Sequence, residues 1–341
     1  MHGVPAAAVV SGSLLGFRHR ARLAIRGRLG SPKIGLFEAD SHRVVHIPNC
    51  RVHHPLINEV ASIVRGALVD ARVTCYSDRV HLGLARYLQV VVERRSGTAQ
   101  VVLVANTTSV EPLAPCLELI RERLGARLHS LWLNFNSQAN NVILGPAFAH
   151  ICGPDSVVEE FGAAAVHYPP GAFGQSNLEV AQLIVAHIRE RISAAAQVTE
   201  FYAGVGAIGL SLLDRVSSLR LNEMAPQSLQ GLALGVAELD APLRAKIEVI
   251  PGAAGACCHA GDGSQLIIVD PPRKGLDPDL TQYLATHPPE QLIYISCGLS
   301  SFMKDVAALL SGGQLCLVQL TAFNLMPFTD HVETVASFRR T

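Results

Sequence analysis

Short apolar runs and helical spacings are interspersed along the first half of the chain, so strands and helices are both predicted there. The alternating or valine-rich runs that predict strands are residues 21–25, 87–92 and 100–104. The amphipathic segments that predict helices are residues 55–68 and 112–124, and each opens with a proline, which suits a first helical turn. This mixture indicates an α+β domain.

A turn-rich stretch at residues 168–171 separates this part from the second half. The next segment predicts a helix with one apolar face, formed by Leu178, Ala181, Val185, Ile188 and Ile192. Ser176 and Glu179 have the spacing of a capping box at the start of that helix. We therefore place a domain boundary here and predict two domains, residues 1–168 and 169–341.

Strand and helix patterns alternate through the second domain. The predicted strands are residues 198–202, 219–222, 247–250, 266–269, 292–296, 315–320 and 332–338. The predicted helices between them are residues 207–213, 226–239, 280–286 and 302–310. Such alternation is typical of the α/β class, with a doubly wound, mostly parallel sheet.

Composition argues against a membrane protein and a secreted protein. A chain of 341 residues with 49% hydrophobic content can bury two cores. Its apolar runs are broken well before the roughly 18 residues of a membrane span, and no basic region precedes the apolar residues 4–15 as in a secretory signal. The eight cysteines lack a paired spacing, which favours reduced thiols and a cytoplasmic enzyme.

Charge is distributed unevenly, although the formal net charge is zero. Residues 1–37 contain no acidic side chain, and their basic residues are Arg18, Arg20, Arg22, Arg26, Arg28 and Lys33. Arg18, Arg20 and Arg22 alternate, so an extended strand would present them on one face. Such a row suits contact with nucleic-acid phosphates, but an ordinary solvated strand face explains it equally well.

A glycine turn follows the first strand of the second domain. Residues 200–209 read Glu-Phe-Tyr-Ala-Gly-Val-Gly-Ala-Ile-Gly, a strand and turn that lead into the predicted helix at residues 207–213. Glycines let a backbone approach a ligand, and a helix start offers free amide groups. Glu223 ends the next predicted strand, where a carboxylate can accept hydrogen bonds from ribose hydroxyls. NAD and S-adenosylmethionine both fit this pattern, as does a turn used for packing.

Residues 267–275 form a strand that ends in Asp-Pro-Pro-Arg-Lys-Gly. Two prolines stiffen the strand end and would hold Asp270 beside a cofactor pocket. An amino-methyltransferase usually has an aromatic residue after such prolines, whereas Arg273 and Lys274 follow here and suit phosphate or a charged pocket wall. A structural tight turn is the plain alternative.

Two candidate reactive groups lie near the end of the chain. Cys297 follows the predicted strand at residues 292–296, where open α/β sheets place their chemistry, although a lone cysteine is often a small core residue. Glu333 lies in a strand-like run and is either a solvent-facing residue or a general base whose burial raises its pKa. With Cys297 nearby, the second interpretation gains weight.

These motifs resemble the 5-methyluridine RNA methyltransferases, which use S-adenosylmethionine to modify tRNA or ribosomal RNA. The resemblance covers residues 173–333 and extends more loosely to residues 16–55; it depends on Asp-Pro-Pro-Arg-x-Gly, Ser-Cys after a strand and His-Val-Glu, in that order. It implies an RNA-binding first domain and a methyltransferase second domain. It also implies that Cys297 is the nucleophile, that Glu333 is the base, and that the residues contacting S-adenosylmethionine are Gln175, Tyr202, Glu223 and Asp270.

The chain departs from the family pattern at several positions. Gly298 and Leu299 follow the nucleophile in place of an asparagine-led pair, Glu200 stands for an aspartate, and Ala203 for a frequent cysteine. Many members bind an iron–sulfur cluster through four cysteines, but only Cys50 matches here, so we predict no cluster and no metal. The surroundings of Cys50 resemble the ribosomal RNA branch more, which favours ribosomal RNA over tRNA. Two alternatives stay open: a relative that binds RNA without turnover, and an amino-methyltransferase.

Overall fold

The computed structural model of the protein describes residues 8–194 and 196–341. The first part of the apolar segment at residues 4–15, and of the acid-free segment at residues 1–37, lies outside the described residues. The chain divides into two compact units. The seven-stranded unit comprises Leu14–Glu159 and Tyr168–Gly171, and the eight-stranded unit comprises the segment ending at Ser13 together with Glu160–His167 and Ala172–Thr341.

The helices and strands are numbered in chain order. The strands are β1 (Ala8–Ser11), β2 (Arg20–Arg28), β3 (Ser31–Phe37), β4 (Val44–His46), β5 (Ala85–Glu93), β6 (Thr98–Ala105), β7 (Leu128–Phe135), β8 (Ala147–Cys152), β9 (Val157–Phe161), β10 (Ala164–Tyr168), β11 (Ala196–Phe201), β12 (Val216–Glu223), β13 (Ile247–Pro251), β14 (Leu266–Val269), β15 (Gln291–Ser296), β16 (Leu315–Asn324) and β17 (Glu333–Arg340). The α-helices are α1 (Pro55–Asp70), α2 (Ala114–Leu124), α3 (Leu178–Arg189), α4 (Pro226–Glu238), α5 (Ala241–Arg244), α6 (Pro278–Thr286) and α7 (Leu299–Leu310).

The seven-stranded unit is an α+β structure. Its sheet has the order β4-β3-β2-β5-β6-β7-β8, and its pairings are antiparallel except for the parallel pair β6 and β7. The apolar stripes of α1 and α2 share one core with β2, β5, β6 and β7. An amphipathic helix gains most of its stability from burying such a stripe. The two predicted helices of this half therefore form where the sequence places them.

The arginine row is not one solvated face. Arg20 lies in β2 with its guanidinium 5.0 Å from the ring centroid of Tyr168, and burial lowers its pKa to about 10. Arg22, two residues on, donates a hydrogen bond of 2.8 Å to the side chain of Gln89. Arg20 and Arg22 are thus engaged by neighbours within the seven-stranded unit.

The eight-stranded unit has the sheet order β1-β16-β17-β15-β14-β11-β12-β13. Its pairings are parallel except for those of β17, which runs antiparallel to both β15 and β16. The strands that carry the predicted site are fully or largely buried, as parallel strands covered on both faces must be. The predicted doubly wound, mostly parallel sheet is confirmed.

The first strand belongs to the unit that contains the last strands of the chain. β1 pairs in parallel with β16, so that Ala8 lies opposite Thr321 and Ser11 opposite Asn324. Glu160–His167 also belongs to this unit. The predicted first domain, residues 1–168, therefore differs from the seven-stranded unit at both of its ends, because pairing across the whole chain leaves no local pattern in the sequence.

Two local predictions were wrong. The cap of α3 is Asn177, whose side chain accepts a hydrogen bond from the Val180 N–H, while Glu179 instead accepts one from the Ser13 N–H at 2.9 Å. The helix predicted at residues 207–213 is a series of turns with a short 3-10 helix, Leu210–Leu212. Within the described residues, none of the helices has the length and apolar character needed to cross a membrane.

Candidate active site

Four parallel strands end at one edge of the eight-stranded unit, and a predicted site residue stands at each end. Tyr202 follows β11, Glu223 ends β12, Asp270 follows β14 and Cys297 follows β15. The ends of three of these strands are level, because Phe201 pairs with both Asn222 and Val269. Since neighbouring strands lie about 4.8 Å apart, side chains at these ends share one surface.

The chain order of the strands reverses at this edge. β12 and β13 lie on one side of β11, and β14 and β15 lie on the other side. A reversal of this kind leaves a crevice beyond the strand ends, which is where open α/β sheets bind ligands. Tyr202 and Asp270 flank the crevice, because they follow the two strands between which the order reverses.

The antiparallel strand β17 brings Glu333 to the same edge. Ser296 pairs with Thr334 across β15 and β17, and Cys297 and Glu333 are the next residues beyond that pair. The thiol and the carboxyl group are therefore attached to facing positions of adjacent strands. Glu333 is 3% exposed, which excludes the alternative of a solvent-facing glutamate.

The glycine turn is held by the carboxylate of Glu223. This carboxylate accepts hydrogen bonds from the backbone N–H groups of Gly204 at 2.8 Å, Met224 at 2.7 Å and Ala225 at 2.6 Å. Gly204 has a φ of +58°, and a Cβ built on it would have no heavy atom within 4 Å. The Glu223 carboxylate thus holds the turn in place, and the space beside Gly204 is open, as a ligand-binding turn requires.

The loop after the two prolines is tied to the strands on both sides. The Tyr202 hydroxyl accepts a hydrogen bond from the Asp277 N–H at 3.0 Å, and Tyr202 itself has a φ of +61°, uncommon for a bulky residue. The buried carboxylate of Asp305 in α7 accepts hydrogen bonds from the Leu276 N–H at 2.8 Å and the Tyr294 hydroxyl at 2.6 Å. These bonds hold the loop against β11 and β15.

The turn that carries Cys297 is braced against the same loop. The Ser301 hydroxyl lies 2.9 Å from the carbonyl oxygen of Arg273 and 3.0 Å from that of Gly298. The Gly298 N–H also donates to the Ser296 hydroxyl at 3.2 Å. A Cβ on residue 298 would lie 2.9 Å from the Ser301 hydroxyl oxygen and 3.1 Å from the Arg273 carbonyl oxygen. Glycine in place of the family's asparagine therefore permits close packing here and does not loosen the turn.

Acidic groups are concentrated at this edge. Glu200, in β11, is 1% exposed, and burial together with the nearby Asp270 holds its pKa well above the usual range. The Gly209 N–H opposes this rise by hydrogen bonding to the Glu200 carboxylate. Desolvation raises the pKa of Asp270 to about 7. These carboxyl groups therefore keep their protons more readily than free ones do.

Asp270 and Arg273 influence the charge of both Cys297 and Glu333. Burial, with a contribution from Asp270, raises the pKa of Glu333 to about 8, and Arg273 opposes the rise. Burial raises the pKa of the Cys297 thiol, and Glu333 and then Asp270 add to the effect, while Arg273 again opposes it. A thiol, two carboxyl groups and one guanidinium are thus close enough to interact through charge.

Strand pairing places the other predicted site residues at one edge, but it does not place Gln175, which lies outside the strands. It is half-buried in the segment before α3. The side chain of Asn177, two residues later, donates to the Leu325 carbonyl at 3.2 Å. This bond ties the start of α3 to the segment between β16 and β17, and thus to the strand that begins with Glu333.

The residues of this edge fit S-adenosylmethionine better than NAD. The sulfonium and ammonium groups of S-adenosylmethionine are cationic, and the edge presents the carboxyl groups of Glu223, Asp270 and Glu333. The pyrophosphate of NAD is anionic and needs the N-terminus of a helix. Here the glycine turn leads into a 3-10 helix of three residues.

The sequence alone did not identify Asp305 or Ser301 as residues that hold the site in place. A signal for Asp305 existed, because it lies on the buried face of α7 with Phe302 and Leu309, where a carboxylate needs a partner. Its partners come from β15 and from the loop after β14, and no spacing rule indicates them. The same holds for Ser301, since serine is common in the first turn of a helix.

All eight cysteines, Cys50 among them, are free thiols. Among the described residues, no three or more His, Cys, Asp or Glu side chains are grouped so as to hold a metal ion. The absence of an iron–sulfur cluster stays a prediction.

Comparisons with known proteins agree with the features of this edge. A model of the tRNA (uracil-5-)-methyltransferase family matches residues 263–340, the part that contains Asp270, Cys297 and Glu333. An RNA methyltransferase of Protochlamydia amoebophila is 35% identical over 335 residues, which cover 96% of this chain and 87% of that protein. One of Geobacter sulfurreducens is 29% identical and is matched over 97% of this chain and 67% of its own.

Among solved structures, the fold is similar to that of the Pyrococcus abyssi tRNA (uracil-54, C5)-methyltransferase, determined in complex with S-adenosyl-L-homocysteine. The TM-score is 0.80 at 22% identity, and the match covers 97% of this chain and 78% of that one. The chain is 35% identical to the Protochlamydia amoebophila protein over almost its whole length, and its last part matches the family model. The chain therefore belongs to the RNA uracil-C5 methyltransferase family.

Proposed function

We propose that the protein transfers a methyl group from S-adenosylmethionine to carbon 5 of a specific uridine in RNA, with ribosomal RNA favoured over tRNA, through a covalent bond between Cys297 and the uracil ring. The single observation that carries this proposal is the position of Cys297 and Glu333 on facing positions of β15 and β17, beside Asp270. A nucleophile and a base at one edge match what methylation at this carbon requires.

Three residues would hold the methyl donor in the crevice. Tyr202 and Asp270 flank it, and Glu223 lies under the glycine turn. A carboxylate offers about four lone-pair positions, and backbone N–H groups already use three of those of Glu223, so one is left for a ribose hydroxyl. When bound, S-adenosylmethionine supplies an electrophilic methyl group and a positive charge beside the acidic groups.

Cys297 solves the main chemical problem of the reaction. Carbon 5 of uracil is a weak nucleophile, and addition of the thiolate to carbon 6 moves an electron pair towards carbon 5. Carbon 5 then forms its bond to the methyl group, whose bond to sulfur breaks with the electron pair going to sulfur. Glu333 takes the remaining proton from carbon 5, the ring double bond re-forms, and the thiolate of Cys297 leaves.

The protein also controls when these groups lose their protons. The raised pKa values of Cys297 and Glu333 keep both groups largely neutral at pH 7 before a substrate is present. Arg273 favours the charged form of both groups. A further positive charge in the crevice acts in the same direction, so binding of the methyl donor favours the reactive thiolate.

The test is transfer of a labelled methyl group to in vitro transcribed ribosomal RNA and tRNA, with identification of the product nucleoside. We expect 5-methyluridine from the wild type and none from Cys297→Ala. Cys316→Ala is the matched control, because Cys316 is an exposed thiol of the same unit. Methylation that persists in Cys297→Ala would refute the proposal and favour amino-methyl transfer.

RNA that contains 5-fluorouridine separates an active enzyme from a relative that binds RNA without turnover. Fluorine cannot leave carbon 5 as a cation, so the bond to Cys297 should persist after methyl transfer. We expect a covalent protein–RNA complex that requires both S-adenosylmethionine and Cys297. Binding of this RNA without a covalent complex would show that the site does not turn over.

A further inference from the structure

Three loops of the seven-stranded unit surround a cavity of about 300 Å³. They are the loop between β3 and β4, the loop before β5 and the loop after β7. The residues that line the cavity are His42, Tyr76, Asp78, Arg79, His81, Ala139, Asn140 and Asn141. Apart from one alanine these side chains are polar or aromatic, so the cavity offers both hydrogen-bonding groups and ring surfaces.

One wall of the cavity is fixed by a buried ion pair. Arg26, which is 7% exposed, donates from Nε and Nη2 to the two carboxylate oxygens of Asp78 at 2.7 Å and 2.8 Å. Its Nη1 donates to the carbonyl oxygens of Ile25 and Arg86, both at 2.8 Å. The guanidinium also lies 5.4 Å from the ring centroid of Tyr76. Asp78 and Tyr76 are therefore held rigidly.

A second buried arginine fixes the loop after β7. Arg86 is 0% exposed, and its guanidinium donates to the carbonyl oxygens of Asn136, Gln138 and Asn140 at 2.7 Å, 2.7 Å and 3.1 Å. It stacks on the Tyr76 ring at 4.2 Å. The partners of Arg86 in the described chain are carbonyl and amide oxygens, so no carboxylate offsets its charge.

The groups around the cavity carry a net positive charge. The negative charge of Asp78 offsets the positive charge of Arg26. No other lining residue is acidic, so the positive charges of Arg86, which holds the loop after β7, and Arg79, on the rim, are not offset by the lining.

The exposed amide of Asn141 can donate and accept hydrogen bonds, as base edges require, whereas the Asn140 amide already bonds to Gln138 and Val142. The exposed rings of His42 and His81 offer stacking surfaces for a base. A volume of about 300 Å³ is at the lower end for ligand pockets.

We propose that this cavity binds one unpaired nucleotide of the RNA substrate, other than the target uridine, with its base against the Asn141 amide and the rings of His42 and His81 and its phosphate near Arg79. The proposed function assigns the target uridine to Cys297, so the nucleotide proposed here is a second one. The inference rests on the proposed function and adds a site that selects the RNA. The row of Arg20 and Arg22 is a weaker candidate, since its side chains already have partners.

Binding of in vitro transcribed ribosomal RNA by Asn141→Ala and Arg79→Ala tests the proposal. Both side chains are exposed, so the fold should be kept. Loss of one base or phosphate contact should raise the Kd for RNA about tenfold at fixed salt, with the Kd for S-adenosylmethionine unchanged. At saturating RNA, kcat should stay within about twofold of wild type. Arg121→Ala is the matched control, because Arg121 is an exposed arginine of α2 outside the cavity.

Cross-linking locates the contact directly. RNA that contains 4-thiouridine should cross-link to peptides within residues 76–82 or 137–142. Unchanged RNA binding by both variants, or cross-links confined to the eight-stranded unit, would overturn the proposal even if methylation is observed. Competition by free uridine or adenosine monophosphate, without any loss of RNA binding in the variants, would overturn it too and indicate a mononucleotide site. If the wild type binds RNA here but forms no 5-methyluridine, the proposed function fails and the RNA site stands.

Discussion

The buried guanidinium groups of Arg26 and Arg86 in the seven-stranded unit differ from the carboxyl groups of Asp270 and Glu333 in the eight-stranded unit in how far hydrogen bonds compensate their burial. In the seven-stranded unit, the guanidinium groups of Arg26 and Arg86 are surrounded by carboxylate, carbonyl and amide oxygens at hydrogen-bonding distance. At the strand edge of the eight-stranded unit, Asp270 and Glu333 have pKa values raised to about 7 and about 8 because few groups compensate their burial. The two guanidinium groups thus have their hydrogen-bond partners within the protein, whereas the two carboxyl groups lack enough partners to stabilise their charged forms.

This difference separates a structural use of charge from a reactive one. A guanidinium that donates several hydrogen bonds holds loops in place and has no tendency to lose its proton. A carboxyl group that is buried without enough donors changes its protonation when a cation or a substrate arrives. The comparison predicts that substitutions at the strand edge mainly change the rate of the reaction. Substitutions of Arg26 or Arg86 should mainly change the stability of the fold.

The largest effect is expected for Glu333→Gln. The amide cannot accept the proton from carbon 5, so turnover should fall by about 10²–10⁴-fold, the usual contribution of a general base. Because the steps before proton removal are intact, the variant should accumulate a covalent complex with ordinary, unfluorinated RNA. Gel electrophoresis under denaturing conditions detects it, and Gln319→Ala on the neighbouring β16 serves as the control. Normal turnover by Glu333→Gln would show that another group is the base.

Arg86→Met should have the next largest effect, on stability. Its removal leaves several buried carbonyl oxygens without donors, and we expect the free energy of unfolding to fall by about 3 kcal/mol. Urea unfolding measures this loss, and amide hydrogen exchange should rise in residues 136–145. Arg86→Lys keeps the charge but loses the fork of donors, so its loss should be intermediate. Equal stability of all three proteins would contradict the role assigned to Arg86.

A smaller effect is expected for the brace behind Cys297. Gly298→Ala places a Cβ 2.9 Å from the Ser301 hydroxyl oxygen, which must then rotate away from its acceptors. We expect kcat to fall about tenfold in Gly298→Ala and in Ser301→Ala, with the double variant no worse than either single one, because both remove the same contact. The KM for RNA should not change. Ser311→Ala, at the other end of α7, is the control, and additive losses would refute the shared contact.

The smallest effect is a shift in the pH dependence of thiol alkylation. The pKa of Cys297 is raised, so its thiolate should form at higher pH than that of a free cysteine. Glu333→Gln removes a negative neighbour and should move the alkylation midpoint of Cys297 to lower pH. Arg273→Ala removes the opposing charge and should move it to higher pH. Mass spectrometry of the Cys297 peptide gives the midpoint in each variant, and shifts of the opposite sign would contradict the roles assigned to Glu333 and Arg273.

The elements around the site were predictable because their signals are local. β14 occupies residues 266–269 as predicted, since four apolar residues end at a pair of prolines. Glu223 ends β12 and Cys297 follows β15, also as the patterns indicated. Parallel strands align their carboxyl ends, so positions at the ends of neighbouring strands were expected to meet.

What the sequence did not indicate depends on contacts between distant segments. Residues 207–213 form turns and the 3-10 helix Leu210–Leu212 in place of the predicted helix. Gly209 is packed closely there, since a Cβ on it would lie 2.4 Å from the Glu200 carboxylate. That close packing is invisible in a hydrophobic pattern. The cap of α3 was assigned to Ser176 because Ser176 and Glu179 have the spacing of a capping box. Asparagine caps a helix as well as serine does, and the Glu179 carboxylate instead accepts a hydrogen bond from the distant Ser13 N–H.

The pairing of β1 with β16 has a consequence for biosynthesis. The two strands lie at nearly opposite ends of the chain, so the outer border of this sheet can close only after the ribosome has released almost the whole polypeptide. Leu14–Glu159, by contrast, is continuous and emerges early. Since domains generally fold as they emerge, the nascent chain should carry a folded seven-stranded unit while its eight-stranded unit is still incomplete.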